Sequence, residues 1–398
     1  MNIKDTSCAI AQRDYSIHQP VIDTKQRASW KNWVAFGGDN LYTDLIYTLY
    51  SESALQRAII DNQIKYTYGA GLREYSASIF TPNLTERWED FLKKCITDMA
   101  IYGAFAVQII MNEDGNRFSY YHTPVNQVRL GGYNEENIIE KAYLATDWRR
   151  ISTKSVVEIK MWGSEQPSKG ERYLMYCKPY NPNELFYAIP KWMSCANWIA
   201  ASIALGEYYQ NYIRNNFSAN LSVTYPCDLD EEKKKEVYEM LTASFGGQSN
   251  AGNIVLLFGE NGSAPVISSI ESVDADLYNS VADLVTKQIV TGNRLTSPTL
   301  AGISTSDGFS SRADEIQAAY SLYKITVIDE IRGFIMDKMN YLLQLNGQPR
   351  CLVLDDYDLS KELNGMTAQN DEKEAEQIDA DEDATNNEQE IDERHGNE

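Results

Sequence analysis

The sequence lacks the residue patterns of metal centres, disulfide frameworks and common hydrolases. Its six cysteines are scattered without a CxxC pair, whereas zinc sites and disulfide-rich folds need closer and more regular spacing. We therefore expect reduced, mostly buried thiols. The three histidines lie far apart at His18, His122 and His395, and neither HExxH nor GxSxG occurs. The sequence thus predicts no metal, no cofactor and no enzyme.

Long apolar runs and positive charge are also scarce. No stretch of 18 uncharged apolar residues occurs, so no transmembrane helix is predicted. The N-terminal residues MNIKDTSCAIAQRDYS lack the apolar core of a secretory signal. Lys and Arg number 36 against 57 Asp and Glu, giving a net charge of −21. Because nucleic-acid affinity comes mainly from basic residues on phosphates, this charge argues against tight DNA binding, but not against a surface past which DNA slides.

Much of the negative charge lies in one C-terminal segment. Residues 370–398 contain 13 acidic residues against Lys373 and Arg394, a net charge of −11. Aromatic and β-branched residues are almost absent there, so the segment cannot bury enough apolar surface to fold. The sequence predicts a disordered acidic tail over residues 359–398.

The chain has 398 residues and is 43% hydrophobic, which is enough for two or three domains. Outside the acidic tail, it is organised around a helix–loop–helix stretch from Asp274 to Leu345. The first helix is predicted to end at Gly292, a residue type that readily takes the left-handed conformation after a last turn. The second, from a possible N-cap at Ser311 to Leu345, would be roughly 50 Å long at about 1.5 Å per residue. Its apolar residues occupy more than one face, which is typical of a helix that packs on several neighbours, including other subunits.

The loop between these helices is long and polar. Residues 292–311 contain eight Ser or Thr and three Gly, and Arg294 is the only cation. Loops of this length inside compact domains are mostly functional or disordered. Two interpretations stay open: a flexible connector, and a functional loop, which we favour.

The preceding residues predict an α+β fold. An amphipathic helix follows Pro82, with Asn83 and Glu86 as a capping-box-like start. It leads to a hairpin around Asp114-Gly115 and to further strands up to Cys177. A long helix begins near Pro190, and a small αβ unit follows, with strands at 221–226 and 253–258 around an acid-capped helix. The glycines at 246–252 lack the GK[ST] of a phosphate loop and are interpreted as a turn.

Several local patterns, taken in order, resemble one family. They are SESALQRAIIDNQIKYTYGAGL, DMAIYGAFAVQIIMNEDGN with YYHTPVNQVRL, YYQNYIRNNFSANLSVTYP, FGGQSNAGNIVLLFGENG and NRLTSPTLAGI. Each is short, but together they cover residues 40–355 and resemble portal proteins of tailed bacteriophages with HK97-type capsids, a head-to-tail connector family.

This resemblance implies a subunit of a ring, usually dodecameric, at one capsid vertex. The implied parts are an N-terminal wing (1–190), a first stem helix (191–220), a clip (221–268), a second stem helix (269–292), a tunnel loop (293–311), a long wing helix with a small C-terminal strand (312–358) and the acidic tail (359–398). Genomic double-stranded DNA would pass through the ring during packaging and ejection. The implied partners are the large terminase, a head-completion adaptor and the major capsid and scaffold proteins, and no membrane is implied. The implied location is the capsid vertex of the virion, and the host cytoplasm during assembly.

The resemblance also implies two functional surfaces. The tunnel loop would line the DNA channel with Arg294, Ser304, Thr305 and Ser306. The clip would face partners with Glu231, Glu232, Lys233, Lys234 and Lys235, although from the residues alone we favour a solvated helix face for these charges. Two other classes remain as alternatives: another tail or connector protein, and a polysaccharide hydrolase using an acid pair such as Asp355-Asp356.

Overall fold

The computed structural model describes residues 32–73, 79–151, 155–182, 184–214, 221–225, 232–233, 235–236, 254–258, 266–269, 275–303 and 313–357. They belong to two compact units. The sheet unit contains the described residues up to 50, from 57 to 193 and from 293 onwards; the helix-pair unit contains 51–56 and 194–292. The fold is α+β, as the sequence predicts.

The sheet unit is built from helices at both ends of its sequence and a sheet between them. Its helices are α1 (Tyr42–Glu52), α2 (Ala54–Tyr68) and α3 (Trp88–Tyr102). The end of α1 and the beginning of α2, within residues 51–56, belong to the other unit. Its strands are β1 (Gly71–Leu72), β2 (Phe105–Met111), β3 (Phe118–Thr123), β4 (Val128–Leu130), β5 (Lys141–Leu144), β6 (Val157–Met161) and β7 (Arg172–Cys177).

Six of these strands form one sheet in the order β3-β2-β7-β6-β5-β4. Neighbours are antiparallel except for β6 and β7, which run parallel through Lys160 and Met161. The predicted hairpin is confirmed as β2 and β3, joined by a turn in which Gly115 has a φ of 76°. The apolar stripe of α3, with Phe91, Leu92, Cys95 and Ile96, is buried in the main core of this unit.

The long C-terminal helix also belongs to that core. It runs as α6 (Ala313–Tyr323), a π-helical turn (Lys324–Ile328) and α7 (Asp329–Leu345). The continuous helix is confirmed up to its predicted end at Leu345, but the π turn was not predicted. Because a π turn inserts a residue, it changes the face that the following residues present. Ile335, Met339, Leu342 and Leu343 of α7 thereby enter the core beside α3.

The chain after α7 closes the unit. The strand that follows, β11 (Leu354–Asp355), pairs antiparallel with β1. Asn346 covers the outer edge of β3, because its side-chain amide accepts from Phe118 N (2.7 Å) and donates to Phe118 O (3.0 Å). Pairing of this kind protects an edge strand from association with other chains.

The helix-pair unit contains α4 (Ala196–Arg214) and α5 (Ala275–Gly292), with a three-stranded sheet between them in sequence. The sheet order is β10-β8-β9, from β8 (Leu221–Tyr225), β9 (Ile254–Phe258) and β10 (Val266–Ser269). Gly292 at the end of α5 lies against Cys195 just before α4, so the two helices are antiparallel. Ser53 and Ser202 share a hydrogen bond of 2.8 Å, which connects the link between α1 and α2 to α4.

Several local predictions need correction. Gly292 does not have a positive φ; it permits the close approach of Cys195, and the left-handed residue is Arg294, with a φ of 58°. Asn83 and Glu86 do not form a capping box, because α3 starts at Trp88 with Arg87 at the N-cap. Asn83 instead bonds Tyr120 O (2.8 Å) and the Glu86 carboxylate (2.9 Å). Strands β1 and β10 were not predicted, whereas β11 lies in the range 312–358, for which the resemblance implies a small C-terminal strand.

The expectation of mostly buried cysteines is confirmed, and several other predicted features lie outside the described residues. Cys95, Cys177 and Cys195 are buried, reduced thiols and Cys351 is half-buried. Burial raises the pKa of Cys177 to about 12, so this thiol is unreactive. Among the described helices, none has the length and apolar content that a bilayer crossing requires. The acidic tail, the helix start at Ser311 and most of the predicted helix at 230–245 lie outside the described residues.

Candidate functional site

The segment that follows α5, residues 293–303, forms the described part of the predicted tunnel loop and is here called the anchored segment. It contains a 3-10 turn at Pro298–Ala301. Ser297 precedes the turn and accepts a hydrogen bond from Thr299 N (3.4 Å), and Pro298 occupies the first turn position, where its missing N–H is not needed. Gly302 ends the turn in the left-handed conformation, with a φ of 80°. The segment is therefore locally ordered.

Helix α2 holds the turn through one backbone carbonyl. Asn62 Nδ2 donates to Leu300 O at 3.0 Å, and Tyr66 OH donates to the same oxygen at 3.3 Å. The side chains of Leu300 and Ala301 are buried beneath this contact. Two donors on one carbonyl and an apolar anchor fix the turn on the surface of the sheet unit.

The long helix holds the beginning of the segment. Thr296 Oγ1 donates to Ala319 O of α6 at 2.6 Å, and Arg294 Nη2 donates to Thr326 O in the π turn at 2.7 Å. Because the π turn alters the helical hydrogen-bond pattern, its carbonyls are well suited to external donors. Arg294 thus connects the anchored segment to the irregular part of the long helix.

Glu330 at the start of α7 joins two cations near this point. Its carboxylate pairs with Lys191, and Arg294 Nη1 lies 3.6 Å from its Oε2. The hydrogen bond from Lys191 is the main cause that lowers the pKa of Glu330, with further contributions from the charges of Lys191 and Arg294. Arg294 is therefore partly neutralised and directed toward protein groups.

The sequence-predicted site residues have different outcomes. Arg294 is half-exposed and acts as an anchor in the structure, so its contact with DNA stays a prediction. Ser304, Thr305 and Ser306 lie outside the described residues. In the predicted clip, Glu232, Lys233 and Lys235 are exposed helical residues, and Glu231 and Lys234 are not described. Exposure fits a solvated face and a partner-binding face equally.

A cluster of tyrosines beside the anchored segment was not identified from the sequence. The ring of Tyr66 lies at an edge-on angle to those of Tyr320 and Tyr323, at 5.2 and 6.4 Å, and Tyr357 lies 6.1 Å from it. Burial raises the pKa of Tyr323 and that of Tyr320. The spacing of Tyr320 and Tyr323 places them on one helical face, which is the only sequence signal for this cluster.

The acidic pair considered for hydrolysis has structural partners. Asp355 accepts from Arg73 at 2.7 Å, and Asp356 pairs with Arg332 and lies 3.3 Å from Lys324. These ion pairs hold the end of the β11 segment to the residue after β1, to the π turn and to the start of α7, so each carboxylate is used in an ion pair. Among the described residues, no group of three or more His, Cys, Asp or Glu could hold a metal ion.

Comparison with solved structures shows what this fold is similar to. The neck of a native gene transfer agent (GTA) particle computed with C12 symmetry contains a chain with a TM-score of 0.51 and 14% identity, covering 82% of this chain and 88% of that one. The neck of an empty GTA particle computed with C6 symmetry gives a TM-score of 0.50 and 12% identity, covering 76% and 81%. The resemblance is therefore confirmed at the level of the fold, which this chain shares with chains of GTA particle necks.

An HK97 family phage portal protein from Corynebacterium diphtheriae matches with 11% identity over 80% of this chain and 96% of its own, at a TM-score of 0.45, which is too low to support a conclusion. No protein-family model matches the chain, and no curated protein matches it by sequence.

Proposed function

We propose that the protein is the subunit of a ring-shaped portal that forms the DNA conduit at one vertex of a phage-like capsid, with a structural and non-enzymatic role. The observation that carries this proposal is the fold: it is shared, over four fifths of the chain, with a chain in a particle neck computed with C12 symmetry. Necks join a head to a tail, and twelve copies of one subunit make a closed ring through a heterologous interface.

Exposed apolar side chains on the long helix support an interface of this kind. Leu322 is 54% exposed and Ile325 is 70% exposed, and their three-residue spacing places them on one face. Adjacent exposed apolar residues on an otherwise charged surface mark a contact site. The net charge of −21 supports a channel through which DNA moves without sticking.

Native mass spectrometry and negative-stain microscopy of the full chain test the ring. We expect annular particles, with a subunit number near twelve, and loss of the ring in Leu322→Glu. Leu84→Glu is the matched control, because Leu84 is 94% exposed and belongs to the segment before α3 rather than to the long helix. A monomer under all assembly conditions would contradict the proposal, and an open helical tube would favour another tail or connector protein.

The DNA channel is tested separately at the loop. Within this proposal, residues 293–311 line the channel, and the large terminase and then the adaptor dock at the clip around Glu231–Lys235. Changing Ser304, Thr305 and Ser306 together to Glu should leave rings intact and impair DNA packaging, because the repeated charges repel phosphate within a Debye length of about 8–10 Å. The matched Lys triplet should slow DNA in a salt-sensitive way. Normal packaging with both triplets would exclude the loop from the channel.

A further inference from the structure

A basic cleft lies in the sheet unit between the end of β7 and α7. Its volume is about 400 Å³, and its walls include Lys178, Phe334, Asp337, Lys338, Tyr341 and Arg350. Phe334, Asp337, Lys338 and Tyr341 follow one another at helical spacing, so one face of α7 forms one wall. A cleft with three cations and one carboxylate contrasts with a chain whose net charge is −21.

The cations of the cleft are only partly compensated. Arg350 Nη2 pairs with Asp337 Oδ1 at 2.6 Å. Lys338 Nζ is farther from the same carboxylate, at 3.8 Å, and lies 5.7 Å from the centre of the Phe334 ring. Lys178 donates to the backbone carbonyl of Glu184, and burial lowers the pKa of this lysine. The Glu184 side chain accepts a hydrogen bond from Asn181 (2.7 Å), and its charge partly offsets the effect of burial on the pKa of Lys178. The cleft therefore has capacity for one or more further carboxylates.

The same chain carries a ligand of the matching chemistry. Residues 370–398 contain 13 acidic residues and a net charge of −11. The described chain ends at Tyr357, next to Asp356, which is paired with Arg332 of α7. Tyr341 lies nine residues further along that helix, about 14 Å away at 1.5 Å per residue. The residues between 357 and 370 can span up to about 45 Å when extended, so the acidic segment reaches the cleft easily.

We propose that the cleft formed by Lys178, Lys338 and Arg350 is a docking site for the acidic C-terminal segment, residues 370–398, of the same chain. The association is electrostatic and needs no apolar burial by the segment, which has few apolar residues to bury. Tethering raises the effective concentration of the segment at the cleft, so weak individual ion pairs suffice to hold it. The docking is sensitive to salt, because the cleft is open to solvent.

Zero-length carbodiimide cross-linking of the full chain tests this docking directly, since it joins lysine amines to carboxylates in contact. We expect Lys338 to be cross-linked to residues 370–398 at low salt and the yield to fall at high salt. Lys169 is the internal control, because it is exposed and lies beside Gly115, at the opposite end of β2 from the cleft. Equal yields at Lys169 and Lys338, or no product at Lys338, would overturn the proposal. With isotopically mixed chains, cross-links between light and heavy chains would overturn docking within one chain.

Tryptic cleavage at Lys373 gives a second readout. Charge reversal by Lys338→Glu should release the segment and accelerate cleavage at Lys373 by about two- to fivefold, the range expected from one exposed ion pair. Lys169→Glu should leave the rate unchanged. Circular dichroism checks that both variants remain folded. Equal cleavage rates in the unmodified protein and folded Lys338→Glu would count against docking.

Discussion

At the residue scale, Arg129 of β4 is the most deeply buried charged residue in the part of the chain that the structure describes. It donates to Asn40 Oδ1 and Asn40 O (both 2.7 Å), to Thr43 Oγ1 (3.2 Å) and to the carbonyls of Asn126 and Val128. These acceptors are neutral, and burial lowers the pKa of Arg129 to about 10. The side chain thereby joins the start of α1 to the edge of the sheet.

Arg129→Met should lower the free energy of unfolding by about 2–4 kcal/mol, because several buried oxygens would lose their donor. Chemical denaturation of the purified protein measures this loss. Arg150→Met is the control: Arg150 is exposed, and a surface change of this kind should shift stability by less than about 0.5 kcal/mol. Equal effects would mean that the buried network contributes nothing.

Gly292 gives a second prediction at this scale. A Cβ atom there would overlap the Cβ and Sγ of Cys195, so Gly292→Ala should destabilise the antiparallel helix pair by about 1–3 kcal/mol. Gly206→Ala in the middle of α4 meets no atom within 4 Å and should stabilise the protein by up to about 1 kcal/mol. Thermal unfolding tests whether Gly292→Ala lowers the melting temperature and Gly206→Ala raises it. Stabilisation by both would show that the helices do not approach closely at Gly292.

At the scale of elements, the anchored segment depends on the π turn. Helix α2 supplies donors to Leu300 O, and the π turn supplies the acceptor for Arg294. The sequence signal for the loop was its length and its Ser, Thr and Gly content, which predict an irregular segment. The contacts show that the first part of the loop is fixed to the long helix that follows it. A displacement of the helix would therefore displace the anchored segment as well.

Arg294→Ala should therefore increase deuterium uptake of residues 293–303, while lowering overall stability by less than about 1 kcal/mol because the side chain is half-exposed. Hydrogen–deuterium exchange with peptide-level mass spectrometry measures this. Lys191→Met is the matched control, since it removes a partner of Glu330 without touching the bond from Arg294 to Thr326 O. The same increase in both variants would assign the effect to Glu330 instead.

At the scale of the whole molecule, buried tyrosine hydroxyls predict sensitivity to alkali. Burial raises the pKa of Tyr42 to about 12, and burial followed by the hydrogen bond to Asp61 raises that of Tyr50 to about 12. Burial raises the pKa values of Tyr120, Tyr176 and Tyr187 still further. Because these folded-state pKa values exceed the unfolded value of about 10, their stabilising contribution is complete below pH 10 and is lost as the pH rises toward 12.

The melting temperature should accordingly fall between about pH 10 and 12. Exposed tyrosines ionise first and without unfolding, so only the later part of the rise in tyrosinate absorbance should accompany the loss of circular dichroism. The contribution of Arg129 to stability changes with pH in the opposite direction, because its pKa is lowered on folding. One such group cannot offset several tyrosines. Complete tyrosinate formation by about pH 12 with unchanged circular dichroism would contradict this expectation.

The sequence by itself determined the elements whose signals are local. The stripe of Phe91, Leu92 and Cys95, the Asp114-Gly115 turn and the long helix ending at Leu345 each depend on spacing within a few residues, and the structure contains all three. The resemblance of ordered short patterns also predicted a fold that the neck structures share.

Only the tertiary structure decided the features that depend on contacts between distant residues. The pairing of β1 with β11 joins residues more than 280 positions apart, Gly71 with Asp355. The basic cleft combines side chains from the end of β7 and from α7 and the residues that follow them, and Arg294 combines a left-handed conformation with a hydrogen bond to Thr326 O. Local propensity contains no information about such partners, because their free energy arises only when the folded chain brings them together.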